Sequence, residues 1–223
     1  MLIAIVGSDG AGKSTVGSQL LTWLQTQGPA ELCHLGKQSG NLARSVARLP
    51  LMGKKLNHTI RKKEEKALST RGPGIPEALV IYAFTLRRLF RFMRMQRLRN
   101  KGITILADRF PQISVPDAID GPGFGRLRKD HALARILAGI EDRQFRWMTR
   151  HAPDLVLRLN VDADTAIARK PDHSPDSLAR KIDGISRITF GTAPIVEIDA
   201  TRPLEDVVDA AKTAISRAMA RQN

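Results

Sequence analysis

Eight residues, Gly7-Ser8-Asp9-Gly10-Ala11-Gly12-Lys13-Ser14, stand between the apolar run LIAIV and the helix-like stretch TVGSQLLTWL. Gly7, Gly12, Lys13 and Ser14 meet the pattern G-x-x-x-x-G-K-[ST] in full. Glycines at this spacing let main-chain N–H groups turn inward around phosphate oxygens, and a helix starting there presents its positive end to the same charge. In that arrangement Lys13 reaches the β- and γ-phosphates of a nucleotide, and the Ser14 hydroxyl binds magnesium. Gly7, Asp9, Gly10, Ala11, Gly12, Lys13, Ser14 and Thr15 are therefore expected at the nucleotide. The bland alternative is a glycine-rich turn with no ligand; a chance match in a chain this long has odds of roughly one in a hundred at average composition.

A second chemical pair is Asp108-Arg109, at the end of the apolar run ITILA. A carboxylate in that place is suited to order magnesium through water, although a carboxylate after a strand also caps helices. Arg109 offers a rigid fork of donors that matches a phosphate. The two sites can share a ligand only if the chain folds residues 7–14 and 108–109 into one cleft.

The elements between them suit that requirement. LIAIV reads as a buried strand because it is continuous rather than alternating. A helix is expected from Lys13 to about Gln25, stopped by Gly28-Pro29, and a short strand over 32–35. Residues 36–75 are basic and broken by Pro50, Gly53 and Gly72-Pro73-Gly74, with a helix expected over about 54–68. After Pro76 the longest helix runs to about Asn100. Leu79, Tyr82, Leu86, Leu89 and Met93 form its expected core stripe, and Arg87, Arg88, Arg91, Arg94 and Arg99 its polar side. Phe84, Phe90 and Phe92 are expected in the core. ITILA is a strand, Pro111–Gly125 a loop, 130–150 a helix and 155–161 a strand. Helices at about 163–169 and 176–187, a strand at 195–198 and a helix over 203–221 complete the chain. Strands alternating with helices argue for a parallel sheet covered on both faces, with ligands beyond the carboxyl ends of the strands.

Composition narrows the functional classes. The formal charge of +14 is concentrated: residues 37–101 hold 17 Lys or Arg against 3 Glu, which leaves the remainder neutral. Any electrostatic partner therefore meets the middle segment. Aromatic residues are only 4%, so stacking platforms are scarce and nucleic acid is not expected as a partner. No apolar run is long enough to cross a bilayer, and the first lacks the basic leader of a secretory signal. The one cysteine, Cys33, forms no intrachain disulfide and reads as a buried strand residue. A cytoplasmic protein is expected. His34, His58, His131, His151 and His173 lack the spacing of metal ligands. Glu141, Asp142 and Gln144 could point toward an acceptor from their helix but read rather as solvent-facing, and Asp120-Gly121-Pro122 reads as either a turn or part of a pocket.

Taken together, these motifs resemble the thymidylate kinase branch of the P-loop nucleoside monophosphate kinases. Asp9 matches that family's acidic loop residue, which contacts the acceptor's sugar. Asp108-Arg109-Phe110 resembles its Asp-Arg-Tyr motif. Pro153-Asp154-Leu155 entering LVLRLNVDADTAIAR resembles the segment leading to its lid, and Ile198-Asp199-Ala200 its adenine-side loop. The resemblance implies a P-loop NTPase three-layer α/β sandwich of about five parallel strands with a short lid. It implies one domain over 1–223, with 37–75 as a basic acceptor-side insertion and 169–180 as the lid. It also implies transfer of the γ-phosphoryl of ATP, with Mg2+, to a phosphorylated small acceptor, and a homodimer is expected.

Roles carried over by resemblance are specific. Lys13, Asp108, Arg109 and Arg169 would be catalytic; Gly10 follows Asp9, where some members carry a loop arginine, so the lid supplies the cation, with Lys170 and Arg180 behind Arg169. Ser14 and Asp108 would serve the metal, the latter through water. Ala200 and Thr201 would lie by the nucleotide. Asp9, Arg87 and Arg109 would face the acceptor. Arg87 stands 22 residues before Arg109, as in the family, though an arginine-rich helix also offers a solvated arginine there. Lid basics could equally be plain surface charge.

The departures fall on the acceptor side. The family's Arg-Glu-Pro-Gly-Gly is replaced by His34-Leu35-Gly36-Lys37-Gln38-Ser39-Gly40, Phe110 replaces a tyrosine, and the acceptor loop reads PQISVPDAIDGPGFGR. Three readings stay open: a nucleotide kinase; a kinase for a sugar phosphate or lipid-linked headgroup, with 41–101 making peripheral membrane contact; and a nucleotide-binding switch or ATPase.

Overall fold

The computed structural model describes residues 1–36, 73–115, 119–125, 127–171 and 174–221. The basic segment 37–72, including the helix expected over about 54–68 and His58, lies outside them, as does His173. In chain order the elements are β1 (Leu2–Gly7), α1 (Lys13–Gln27), β2 (Ala30–His34), α2 (Ile75–Asn100), β3 (Thr104–Asp108), α3 (Ala132–Thr149), β4 (Leu155–Asn160), α4 (Ala163–Arg169), α5 (Pro175–Ser186), β5 (Ile195–Asp199) and α6 (Leu204–Ala220). The five strands form one parallel sheet in the order β2-β3-β1-β4-β5.

β1 is buried along its whole length because neighbours flank it on both edges and helices cover both faces. Its alternate residues feed two cores. Ile3 and Ile5 join Leu106, Leu157 and Leu159 beneath α1 and α6, where Val16, Leu20, Leu24, Val208 and Ile215 close the layer. Leu2, Ala4 and Val6 join Ile105 and Val156 beneath α2 and α3, against Phe92, Met95, Phe145 and Met148. Each fully buried side chain of this size contributes about 1.5–3 kcal/mol, so the sheet's centre is the rigid part from which the loops project. Cys33 is buried in β2; burial first, and Glu31 second, push its thiol up to about 11.

Boundaries agree with the sequence reading to within a few residues, with β2 starting at Ala30 rather than 32. The face of α2 does not agree. Its buried positions are Ala78, Thr85, Arg88, Phe92 and Met95, whereas Leu79 is 51% exposed and Phe90 63% exposed. Tyr82, Phe84, Leu86, Leu89 and Met93 are half-buried. The inward stripe contains Thr85 and Arg88, polar residues satisfied by partners on distant segments, and hydropathy spacing cannot register such partners. No helix among the described residues is long and apolar enough to cross a membrane.

Candidate functional site

The cradle forms where β1 gives way to α1. Gly7 sits against β4 so closely that a Cβ would lie 2.9 Å from the Leu159 carbonyl oxygen. Gly10 and Gly12 have φ of 89° and 79°, a region that side-chain-bearing residues rarely adopt. Gly12 is the N-cap of α1 and supplies no side-chain cap, and the first turn holds no acidic residue. The amides there are left to an external anion, which the helix dipole favours. Ser14 and Thr15 are exposed on that first turn. Lys13 Nζ donates to the carbonyls of Gly7 at 2.9 Å and Ser8 at 2.7 Å, bracing the loop. Burial, then the neighbouring Arg109, hold its ammonium pKa below the usual lysine range, against the opposing pull of Asp108, Asp9 and Asp120.

The parallel sheet carries Asp108 and Arg109 to the same edge. Register places His34 beside Asp108, and His34 Nδ1 lies 2.7 Å from Asp108 Oδ2. Burial opposes ionisation of Asp108, but the His34 hydrogen bond and the charges of His34, Lys13 and Arg109 prevail, so its carboxyl pKa lies below the ordinary value. The other oxygen, Asp108 Oδ1, is buried without a hydrogen-bond partner. An orphaned carboxylate oxygen beside a phosphate cradle fits the water shell of a divalent cation, to which the exposed Ser14 hydroxyl could add an oxygen ligand. Among the described residues no group of three or more His, Cys, Asp or Glu could hold a metal by itself.

Asp9 is the meeting point of the charges. Lys181 Nζ, from α5, donates to its Oδ2 at 2.6 Å, and Arg109 Nη2 lies 3.5 Å from its Oδ1. Burial raises the Asp9 pKa, but the Lys181 hydrogen bond and charge, followed by Lys13 and Arg109, lower it further, and the carboxyl ends below its usual range. Arg109 itself has φ of 59°. A Cβ on Gly36 would fall 2.4 Å from Arg109 Cδ and 2.9 Å from His34 Nε2, so glycine at 36 makes room for both side chains.

Arg169, at the end of α4, donates through Nη1 to Ala200 O at 2.9 Å and to Gly10 O at 3.3 Å. It ties the phosphate loop to the turn after β5, where Asp199 Oδ1 accepts from the Thr201 amide at 2.9 Å and its hydroxyl at 2.6 Å. Lys170 and Arg180 are exposed. The cation that reaches Asp9 is Lys181, one residue beyond the stretch 169–180 expected as a lid.

On the other side of the cleft the sequence reading needs correction. Arg87 is half-buried on α2. Its neighbour Arg88, expected on the polar side, is 1% exposed. It donates to Leu35 O at 2.8 Å, Asp120 O at 2.7 Å and Asp120 Oδ1 at 3.0 Å. Arg91 Nη1 donates to Gly36 O at 2.9 Å. Glu141, expected in solvent, is 1% exposed and accepts from the amides of Gly123 and Phe124, both at 2.8 Å, and from the Thr85 hydroxyl. Gln144 turns inward to the Tyr82 hydroxyl at 3.1 Å, while Asp142 pairs on the surface with Arg146. Ile119-Asp120 is a turn whose aspartate also joins this buried network. His34, Lys181 and Arg88 were given no site role from sequence, whereas Asp120 was read as a turn or part of a pocket and Glu141 as solvent-facing in preference to acceptor-facing.

No protein-family model matches this chain. It is 38% identical to the "uncharacterized ATP-binding protein YghR" of Escherichia coli strain K12 over 218 residues, covering 96% of this chain and 86% of that one. It is 34% identical to YghS, another protein of that strain with the same printed description, covering 98% and 93%. A thymidylate kinase of Alkalilimnicola ehrlichii is 28% identical, covering 98% and 94%. The structure of a deoxyadenosine kinase from M. mycoides with bound dATP superposes with a TM-score of 0.53 at 15% identity, covering 97% and 100%. The fold is that of the P-loop NTPases.

Proposed function

The chain belongs to the family of the ATP-binding proteins YghR and YghS, and on that footing we propose that it is a P-loop phosphotransferase. In this reading it moves the γ-phosphoryl of ATP to a phosphorylated small acceptor, in the manner of a thymidylate kinase. The observation that carries the proposal is that Lys181 and Arg109, from distant parts of the chain, pair with the single carboxylate Asp9 beside the bare N-terminus of α1, where Lys13 braces the loop. A cluster of three cations and one anion at a phosphate cradle is built to receive more than one phosphate group.

Phosphoryl transfer asks the protein mainly for positioning and charge neutralisation. The loop amides and Lys13 hold the donor's phosphates, with Ala200 and Thr201 on the nucleotide side. Arg109 grips the acceptor phosphate, and Asp9 and Arg87 face the same molecule. Lys181 and Arg109 are freed from Asp9 as phosphate oxygens replace its carboxylate. Arg169, as the catalytic lid residue of this reading, ties the phosphate loop at Gly10 to the turn at Ala200. Ser14 would hold magnesium directly and Asp108 would hold it through water, and the ion would supply charge neutralisation at the phosphates. The nucleophile is already a phosphate oxygen, so no strong base is required.

The rewritten segments after β2 and β3 support an acceptor other than thymidylate, with sugar phosphates as candidates beside nucleoside monophosphates. The test is an acceptor screen read as acceptor-dependent ADP formation. Calorimetry with ATP and magnesium is the prior check: absence of heat at millimolar nucleotide would refute the reading, as would ATP turnover that no acceptor accelerates.

A further inference from the structure

Among the described residues only Arg109 and Asp120 combine a side chain with positive φ, at 59° and 62°. Such backbone is uncommon outside glycine and persists where the surroundings over-determine it, often at functional sites. Arg109 has a place in the proposed reaction, whereas Asp120 has none. Gly121, next in the chain, does not take the positive φ in its stead.

Unusual groups hold Asp120 in this state. Its carbonyl and its Oδ1 both accept from Arg88, a guanidinium 1% exposed that lies 5.5 Å from the centroid of the Phe145 ring. A charge taken so fully from water is costly unless its partners are well placed. Downstream, the buried Glu141 pins the amides of Gly123 and Phe124. Upstream, the buried Gln112 donates to Val115 O at 2.9 Å and Ile119 O at 3.0 Å and accepts from the Val115 amide at 3.0 Å. Both flanks of one residue are thus fixed by sealed polar side chains, which is more than a surface turn requires.

One atom is left over. Asp120 Oδ2 makes no hydrogen bond among the described residues, and unlike Asp108 Oδ1 it is not among the sealed orphan atoms. The side chain is 11% exposed, so the carboxylate keeps a small contact with solvent. The Arg88 that holds it also donates to Leu35 O, the Leu35 amide donates to Asp108 O at 2.9 Å, and Gly36 packs on Arg109, so the carboxylate is tied to the strand ends that carry Asp108 and Arg109. A carboxylate repels the phosphate that Arg109 attracts, and it accepts hydrogen bonds only, so it suits a neutral donor on the same molecule.

We propose that Asp120 is a specificity-determining residue whose Oδ2 accepts a hydrogen bond from a hydroxyl of a phosphorylated, hydroxyl-bearing acceptor, with Arg88 and Glu141 as the positioning residues that hold it there. The inference rests on the phosphotransferase reading and adds to it a hydroxyl that is recognised rather than phosphorylated.

The experiment measures binding to the full chain, with ADP and magnesium, of ribose 5-phosphate, glycerol 3-phosphate, thymidine monophosphate and methyl phosphate; the last carries no alcohol. At least one hydroxyl-bearing probe should bind the native chain about tenfold or more tighter than methyl phosphate. In Asp120→Asn that preference should vanish while methyl phosphate and ATP bind as before. Asparagine keeps the size, an oxygen for Arg88 and the tolerance for left-handed backbone, so an unchanged unfolding temperature verifies that the loop stands. Arg88→Lys, which cannot span Leu35 O and Asp120 together, should lose the same preference with ATP affinity retained. Absence of a preference in the native chain, its survival in Asp120→Asn, or an equal weakening of methyl phosphate would overturn the proposal. Failure of the native chain to bind ATP would instead overturn the phosphotransferase reading, so the two failures are distinct.

Discussion

In the proposed reading, the donor and acceptor sides of the cleft are built on different physical principles. The donor side is a run of eight consecutive residues whose backbone would do the binding, with Gly10 and Gly12 in conformations set locally. The acceptor side is assembled from side chains far apart in the chain: Arg88 on α2, Asp120 after β3, Glu141 on α3 and the carbonyl of Leu35 after β2. The first keeps its geometry with many different surroundings, because peptide groups are the same in every sequence. The second changes whenever one partner changes, so it can be rebuilt for a new ligand while the donor chemistry stays. This contrast matches the placement of the departures from the thymidylate kinase pattern, which spare residues 7–14 and fall after β2 and β3.

The comparison is broken most severely at Lys13. Lys13→Ala should lower acceptor-dependent ADP formation by about 10³-fold, measured by coupled assay, with the fold intact by circular dichroism. A loss below tenfold would mean that the cradle does not hold the transferring phosphate.

Next in size is the acceptor-side anchor. Glu141→Gln leaves two buried amides and a hydroxyl with one fewer acceptor, at a cost of about 1–3 kcal/mol. In a chain of this size each kcal/mol lowers the unfolding temperature by about 2–4 °C. ATP affinity should not follow, because the network touches no donor residue. Parallel loss of ATP binding would erase the distinction between the two sides.

Arg169→Ala sharpens the donor half. Without its ties to Gly10 and Ala200, ATP should bind about tenfold more weakly, equivalent to about 1.4 kcal/mol. An unchanged calorimetric Kd would confine Arg169 to the surface.

The smallest effect is acid sensitivity. Asp9 has its pKa depressed below 3.8, net of burial, by Lys181 and its neighbours. Its contribution to stability is therefore complete above the ordinary carboxylate value and is lost as pH falls from there through the lower folded-state value. Lys181→Met should flatten that part of the stability–pH curve, with little change at neutral pH beyond the lost ion pair. An identical acid limb in both proteins would show that Lys181 does not hold Asp9 in solution.

Much of this architecture was legible in the linear chain. Continuous apolar runs announced β1, β3 and β4, glycines marked the cradle and Gly28 the end of α1, and the alternation of elements required a parallel sheet. Legibility stopped where a residue's environment comes from distant segments. Arg88 and Glu141 have the composition of surface positions, and only partners 32 and 17 residues away in sequence reverse that reading. Lys181 lies 172 residues from Asp9, with no local pattern to join them.

The sequence by itself determined the phosphate loop, the strand-and-helix alternation and the placement of Asp108-Arg109 at a strand's carboxyl end, because backbone conformation and hydrophobic periodicity are local properties. Tertiary structure alone decided which face of α2 is buried, that His34 pairs with Asp108, that Arg169 braces while Lys181 reaches the phosphate loop, and that buried charges fasten the loop after β3. Burial of a charge becomes tolerable only when specific partners meet it, and those meetings exist only in the folded chain.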